Sequence, residues 1–131
     1  MPGTLSGTMP RLTRLLLPLM LSGVALATPA WVVPAATLYP VPNQTSAPLR
    51  SLPAGTRLDL RRCFALWCDV QQGPRRGWVL RTTVNVSGDC RQLVPLGLKG
   101  LRRTEAAYSG SRDLNHDGVA CDTLDRPLMA R

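Results

Sequence analysis

Between Thr37 and Arg81 apolar and polar residues alternate in short runs, each closed by turn residues. The clearest run is Arg57 to Cys63, where Leu58, Leu60 and, more weakly, Arg62 face one way, the period of two of a half-buried strand. Trp67 to Gln71 puts Trp67 and Asp69 on one face and Cys68 and Val70 on the other, and Gly77 to Arg81 carries Trp78 and Leu80. Leu38 to Val41 reads as an extended segment that Pro40 and Pro42 keep off a sheet centre. Ala47 to Leu52 reads as a short strand or connector. Pro53-Ala54-Gly55-Thr56 and the Gly73-Pro74 stretch are turns. Closely spaced strands with Gly and Pro turns predict a mainly β fold, a small antiparallel barrel. Thr28 to Ala36, rich in Ala, Pro and Val, reads as a lead-in linker without regular structure. After Ser87-Gly88, Gln92 to Gly97 reads as loop. Leu98 to Ala107 reads as a short helix, on the spacing of Leu98, Leu101 and Glu105.

The first residues have another character. Met1 to Arg14 holds Arg11 and Arg14 and no acid, and Leu15 to Ala27 is an apolar run broken by Pro18. The run is shorter than the roughly 20 residues of a bilayer-spanning helix. It closes on Ala25-Leu26-Ala27, a small-x-small scission pattern. Residues 1–27 are therefore read as a signal peptide, with scission after Ala27 and Ala30 as second choice. The first cysteine is Cys63, so a lipid-anchored form is not expected. The remaining residues suffice for one ordinary domain or two very small ones. Small exported modules bury little apolar surface and lean on disulfides or metals. All four cysteines lie in this part, and four allow three pairings. The Cys63-x4-Cys68 spacing is not the C-x2-C of a redox or zinc site.

The chain carries 16 Lys and Arg against 8 Asp and Glu. Arg50, Arg57, Arg61, Arg62, Arg75, Arg76 and Arg81 face only Asp59 and Asp69 within residues 35–86, whereas residues 89–125 hold slightly more acids than bases. The basic surface thus belongs to the first region, where it attracts polyanions: wall polymers, anionic lipid or nucleic acid. One lysine, no RNA-binding signature and export speak against a specific nucleic-acid role. A single histidine, His116, and paired cysteines leave neither a Ser–His–Asp nor a Cys–His arrangement. The expectation is a binding protein and not an enzyme, with no catalytic residue.

The most specific stretch is Asp113 to Asp122. Asp113, Asn115 and Asp117 stand at positions 1, 3 and 5 of a loop with Gly118 at position 6, the first half of an EF-hand loop. Calcium is a hard cation that takes six to eight oxygen ligands, and the Val119 carbonyl is the next candidate. Leu124 at position 12 cannot ligate, so Asp122, or less convincingly Asp125, takes the missing carboxylate's place. His116 at position 4 is expected to point outward. The alternative is a plain turn, because Asp, Asn and Gly are common turn residues.

Two family resemblances rest on these residues. Leu38-Tyr39, then PNQTSAPLRSLPAGT from Pro42 to Thr56, CFALWCDV from Cys63 to Val70 and Gly77-Trp78-Val79, in this order, resemble a bacterial SH3 domain over residues 35–86. Tyr39-Pro40-Val41-Pro42 stands where many members carry N-V-R-x-G-P. The resemblance implies an SH3-like barrel that tethers a secreted protein to peptidoglycan or another wall ligand. Tyr39, Trp67 and Trp78 are the candidates to line a ligand groove. Core packing is the favoured reading for Trp78, between Gly77 and Val79, and stands level with the groove for Trp67, since the chain has one Phe. Tyr108, then D-x-N-x-D-G-x-A-C-D from Asp113, with Cys90 about thirty residues upstream, resembles the Excalibur extracellular calcium-binding module, assigned to residues 89–125. That implies calcium on Asp113, Asn115, Asp117, Val119 and Asp122, at about 10⁻⁴–10⁻³ M. Asn115 in place of the usual Asp and Asp122 in place of the usual Glu weaken it. The favoured disulfides are Cys63–Cys68, across a tight hairpin, and Cys90–Cys121. The expected whole is a secreted or envelope-resident wall-binding protein with no stable membrane anchor. The alternative is an accessory or remnant of a secreted nuclease or wall hydrolase.

Overall fold

The structure, a computed structural model, describes residues 27–122. The expected leader and Asp125 lie outside the described residues. The described strands are β1 (Thr28–Val32), β2 (Ala36–Leu38), β3 (Arg50–Leu52), β4 (Arg57–Phe64), β5 (Trp67–Gln72), β6 (Arg75–Leu80), β7 (Val84–Val86), β8 (Leu101–Arg102) and β9 (Val119–Ala120), with one short helix, α1 (Cys90–Leu93). Five strands form an antiparallel sheet in the order β6-β5-β4-β1-β7. β2 and β3 form a separate ribbon, which joins the β6 edge where Tyr39 and Trp78 exchange two backbone hydrogen bonds of 2.8 Å. The fold is mainly β with little helix, as the alternation predicts.

β1 corrects the lead-in reading of residues 28–36. Thr28 to Trp31 pair with β4 and Ala30 to Val32 with β7, so this segment sits inside the sheet. Ala30 and Val32 are buried while Pro29 is exposed and Trp31 half-buried, a period of two hidden in an Ala-Pro-Val composition. Pro29 is tolerated because it lies before the three residues that pair with β7, and only one ladder runs past it. Residues 28–32 therefore belong to the sheet, ahead of the expected boundary at residue 35. Scission after Ala30 would remove three residues that pair with β4.

In β4, Leu58 and Leu60 are buried as expected, but Arg62 is exposed and Cys63 is buried. A register shift between Leu60 and Arg62 inserts one extra residue and moves the rest of the strand to the other phase. The inner face thereby gains Cys63, directly opposite Cys68, with Cα atoms 3.9 Å apart in the expected disulfide. The core is aliphatic, built from Val32, Leu38, Leu52, Leu60, Val70, Val79, Val84 and Val86, each at most 1% exposed. Among the described residues no fully buried aromatic belongs to it, and Tyr108, partly buried, packs against it.

The region after Gly88 differs from its sequence reading. Cys90–Leu93, read as part loop, is helical, and Val94–Leu96 continues as a 3₁₀ turn. Asp89 caps the helix: its carboxylate accepts from the Arg91 N–H at 3.0 Å, and its own N–H donates to Gln92 Oε1 at 2.8 Å. Residues 98–107 hold no helix. Leu98, Leu101 and Ala107 are buried, but the chain there runs through β8, which pairs with β9. Their spacing reflects separate contacts rather than one helical face. Gly97 stops the turn at φ 89° and lies against the Cys63 carbonyl, where a Cβ would clash.

This second region shares one hydrophobic cluster with the sheet. Three further ties hold the two together. The Arg81 guanidinium makes a bidentate pair with Glu105, both bonds 2.8 Å, and the Ala106 N–H donates to the Thr82 carbonyl. Within the second region itself, Cys90–Cys121 forms the second disulfide, as expected. Arg112 is buried and donates to the carbonyls of Val86, Gly88 and Ala107 and to Asn85 Oδ1. Burial pushes its pKa down, against the attraction of Asp89. The main-chain oxygens that satisfy it belong to β7 and to the loop before Asp113, so one side chain fixes both.

Candidate functional site

Two groups of residues were expected to carry function, and the fold treats them differently. On the outer face of β4–β5–β6, cross-strand pairing lines up Phe64, Trp67 and Leu80 in one row and Arg62, Asp69 and Trp78 in the next. Directly opposed residues project from the same face of an antiparallel sheet. Tyr39, next to Trp78 through its backbone, turns its ring edge-on to Trp67 at 5.7 Å and 87°. Phe64 and Trp78 lie tilted, 6.2 Å apart, and the Arg62 guanidinium stands 5.1 Å over the Phe64 ring. The fold thus brings together all three expected aromatics, Tyr39, Trp67 and Trp78, each half-buried. The core reading for Trp78 is overturned: Trp78 is half-buried and lies outside the buried core, which Val79 enters instead.

Phe64 and Arg62 escape the sequence reading. The bulge that moves Cys63 inward also turns Phe64 outward, and alternation read through that point assigns both wrongly. Asp69, buried on this face, accepts from Arg76 at 3.2 and 2.9 Å, with Arg61 at 3.9 Å. Its hydrogen bond raises the Arg76 pKa further. A cavity of about 150 Å³ opens beside Tyr39, lined also by Ala36, Thr37, Gln44, Leu80 and Thr83. The face therefore offers flat ring surface, a small recess and arginine donors, an arrangement suited to binding.

The loop from Asp113 is built around one side chain. Asp113 is fully buried. Its Oδ2 accepts from the Tyr108 hydroxyl at 2.6 Å and the Gly118 N–H at 2.9 Å, and its Oδ1 from the Asp117 N–H at 3.2 Å. The Tyr108 hydrogen bond, opposed by burial and helped by the two amides, holds the Asp113 carboxyl below the usual carboxylate range. The same bond raises the Tyr108 phenol. Asp117 in turn accepts from the Val119 N–H at 2.9 Å. Curvature comes from left-handed backbone at His116, Gly118 and Cys121, with φ of 56°, 91° and 56°. Asn115, His116 and Asp117 are exposed, Val119 pairs with Arg102 in β9, and Asp122 is half-buried.

The donors fit calcium in kind, being carboxylates, an amide and a carbonyl, all oxygen. No cluster of three or more His, Cys, Asp or Glu side chains that could hold a metal ion forms among the described residues. Two disulfides fit an oxidising, extracellular compartment, and no helix among the described residues is long and apolar enough to cross a membrane. Among known proteins, no family model, no curated protein and no solved structure matches the chain.

Proposed function

We propose that this chain is an exported cell-envelope protein related to bacterial SH3 domains, whose sheet binds a wall polymer, peptidoglycan in the first instance, through Tyr39, Trp67 and Trp78. The observation that carries this reading is the gathering of those rings with Phe64 on one half-exposed face, while the buried core among the described residues is aliphatic. Rigid rings offer contact area with little conformational entropy to lose. Arg62 beside them draws in an anionic polymer. The expected leader and the two disulfides support export.

The Excalibur-like loop is proposed to take calcium on Asp113, Asn115, Asp117, Val119 and Asp122. Asp113, kept ionised by Tyr108 and two loop amides, supports that reading. Bound there, calcium would supply positive charge to these oxygen donors. The chain's own part is to hold Asp113 in place through Tyr108 and, one residue earlier, through Arg112.

Co-sedimentation with purified peptidoglycan sacculi tests the main reading. Wild-type protein is expected to sediment with the sacculi, and Trp67→Ala with Trp78→Ala to bind about tenfold more weakly or worse. Wild-type protein that stays in the supernatant would sink it.

A further inference from the structure

The two most exposed large apolar side chains among the described residues, Leu66 at 60% and Phe64 at 51%, belong to one turn. That turn joins β4 to β5, with Ala65 between them at φ 53°. Its base is closed by Cys63–Cys68 and by the pairing of Phe64 with Trp67. The Arg81 N–H holds the Leu66 carbonyl at 2.8 Å. A turn fixed on three sides keeps both side chains in water, where flexible backbone would let them fold back. Its flanks are basic. Arg61 and Arg62 precede it, Arg62 lies over the Phe64 ring, and residues 60–68 contain no acid. Asp69, just beyond, is hydrogen-bonded by Arg76 and lies at a longer 3.9 Å from Arg61.

We propose that the β4–β5 tip docks reversibly on an anionic lipid surface, with Phe64 and Leu66 entering the boundary of headgroups and acyl chains and Arg61 and Arg62 facing the headgroups. The order of chemistry along the tip favours this occupant. Apolar groups stand outermost and guanidinium groups just behind, which mirrors a bilayer whose negative charge lies outside its hydrocarbon. The tip is a projection rather than a groove, so it suits a soft apolar phase into which it can press. A second copy would bring four arginines together, with Asp69 of each already held by Arg76. Two apolar side chains with a basic flank give reversible binding, distinct from a stable anchor. This inference shares Phe64 and Arg62 with the wall-polymer reading but turns on Leu66 and Arg61, which that reading does not use, so the Leu66 variant separates the two.

The test uses oxidised protein beginning at Thr28, where the described core begins, because the apolar run before it would itself favour lipid. Sedimentation with phosphatidylglycerol-rich vesicles is compared with pure phosphatidylcholine. Wild-type protein is expected to partition onto the anionic vesicles. Phe64→Ser with Leu66→Ser is expected to weaken that partition about tenfold or more, and Arg61→Gln with Arg62→Gln to weaken it on anionic vesicles alone. Both side chains of the first pair are exposed, so its melting temperature should match wild type. A leucine-only variant, Leu66→Ser, repeats the readout with all aromatics kept. No wild-type partition onto either vesicle would overturn the proposal, as would unchanged partition of the serine variants. Loss of self-association or of sacculus binding in those variants, with vesicle binding unaltered, would give the tip to a second copy or to the wall polymer.

Discussion

Residues 28–86 and residues 87–122 are held in their folds by different means. In the first region alternation buries Leu58, Leu60, Val70 and Val79 on one face, and ladder hydrogen bonds of five strands satisfy the backbone. In the second region the longest helix has four residues and the strands have two each. Buried polar side chains take over the work of regular structure there. Arg112 satisfies main-chain carbonyls from two segments, Glu105 accepts from Arg81 and from the Arg102 N–H, and Asp113 accepts from three donors. A sheet spreads its stability over many equivalent contacts. A segment organised by three ionised side chains concentrates it, because removing one leaves buried partners unsatisfied.

The contrast is sharpest at Arg112. Arg112→Leu keeps apolar volume but leaves carbonyls of Val86, Gly88 and Ala107 without their donor. A loss of about 3–5 kcal/mol in urea unfolding is expected. A loss under about 1 kcal/mol would mean that the disulfide alone organises the region. The disulfides come next. Replacing Cys90 and Cys121 by Ala opens a loop with a sequence separation of 31 and should cost about 3–4 kcal/mol, against about 2 kcal/mol for Cys63 and Cys68, separated by 5. Equal losses would contradict the comparison.

Acid should act on the second region first. The folded Asp113 pKa is held below its unfolded value, about 3.9, so the native state binds fewer protons than the unfolded state in that range. Its stabilisation is fully present above the unfolded value and is lost as pH falls through the folded one. Melting temperature followed from neutral pH to about 2 should drop more steeply in wild type than in Tyr108→Phe, which lacks the main cause of the shift. Parallel curves would remove Asp113 as the loop's organiser. Calcium gives the smallest effect. At ten times Kd it should add about 1.4 kcal/mol, and Asp117→Ala should abolish the gain. No thermal shift at several times a millimolar Kd would leave the loop a plain turn.

The legibility of the chain divides along the same line. Leu58 and Leu60 alternate openly, and Asp113-x-Asn115-x-Asp117-Gly118 announces a tight loop of oxygen donors. β1 is hidden because Pro29 and small residues mask the alternation of Ala30 and Val32. The phase of Cys63 and Phe64 depends on a one-residue bulge that leaves no mark in composition. α1 does have a signal, Asp89 three residues before Gln92, a capping pattern that outweighs the loop-like residues after it. Arg112 has none, since its partners are main-chain carbonyls brought near by the fold. Aromatic content misleads for a physical reason: branched aliphatic residues fill this small interior, which frees the rings for the surface.

We place recognition on the outer face of β4–β6 and give the Asp113 loop a separate, supporting role. Amide and indole chemical shifts, followed while a soluble peptidoglycan fragment is titrated into oxidised protein, test that most directly. The predicted result is a cluster of changes at Tyr39, Phe64, Trp67 and Trp78, with residues 113–122 unmoved. Changes centred on residues 113–122, or none at any concentration reached, would contradict it.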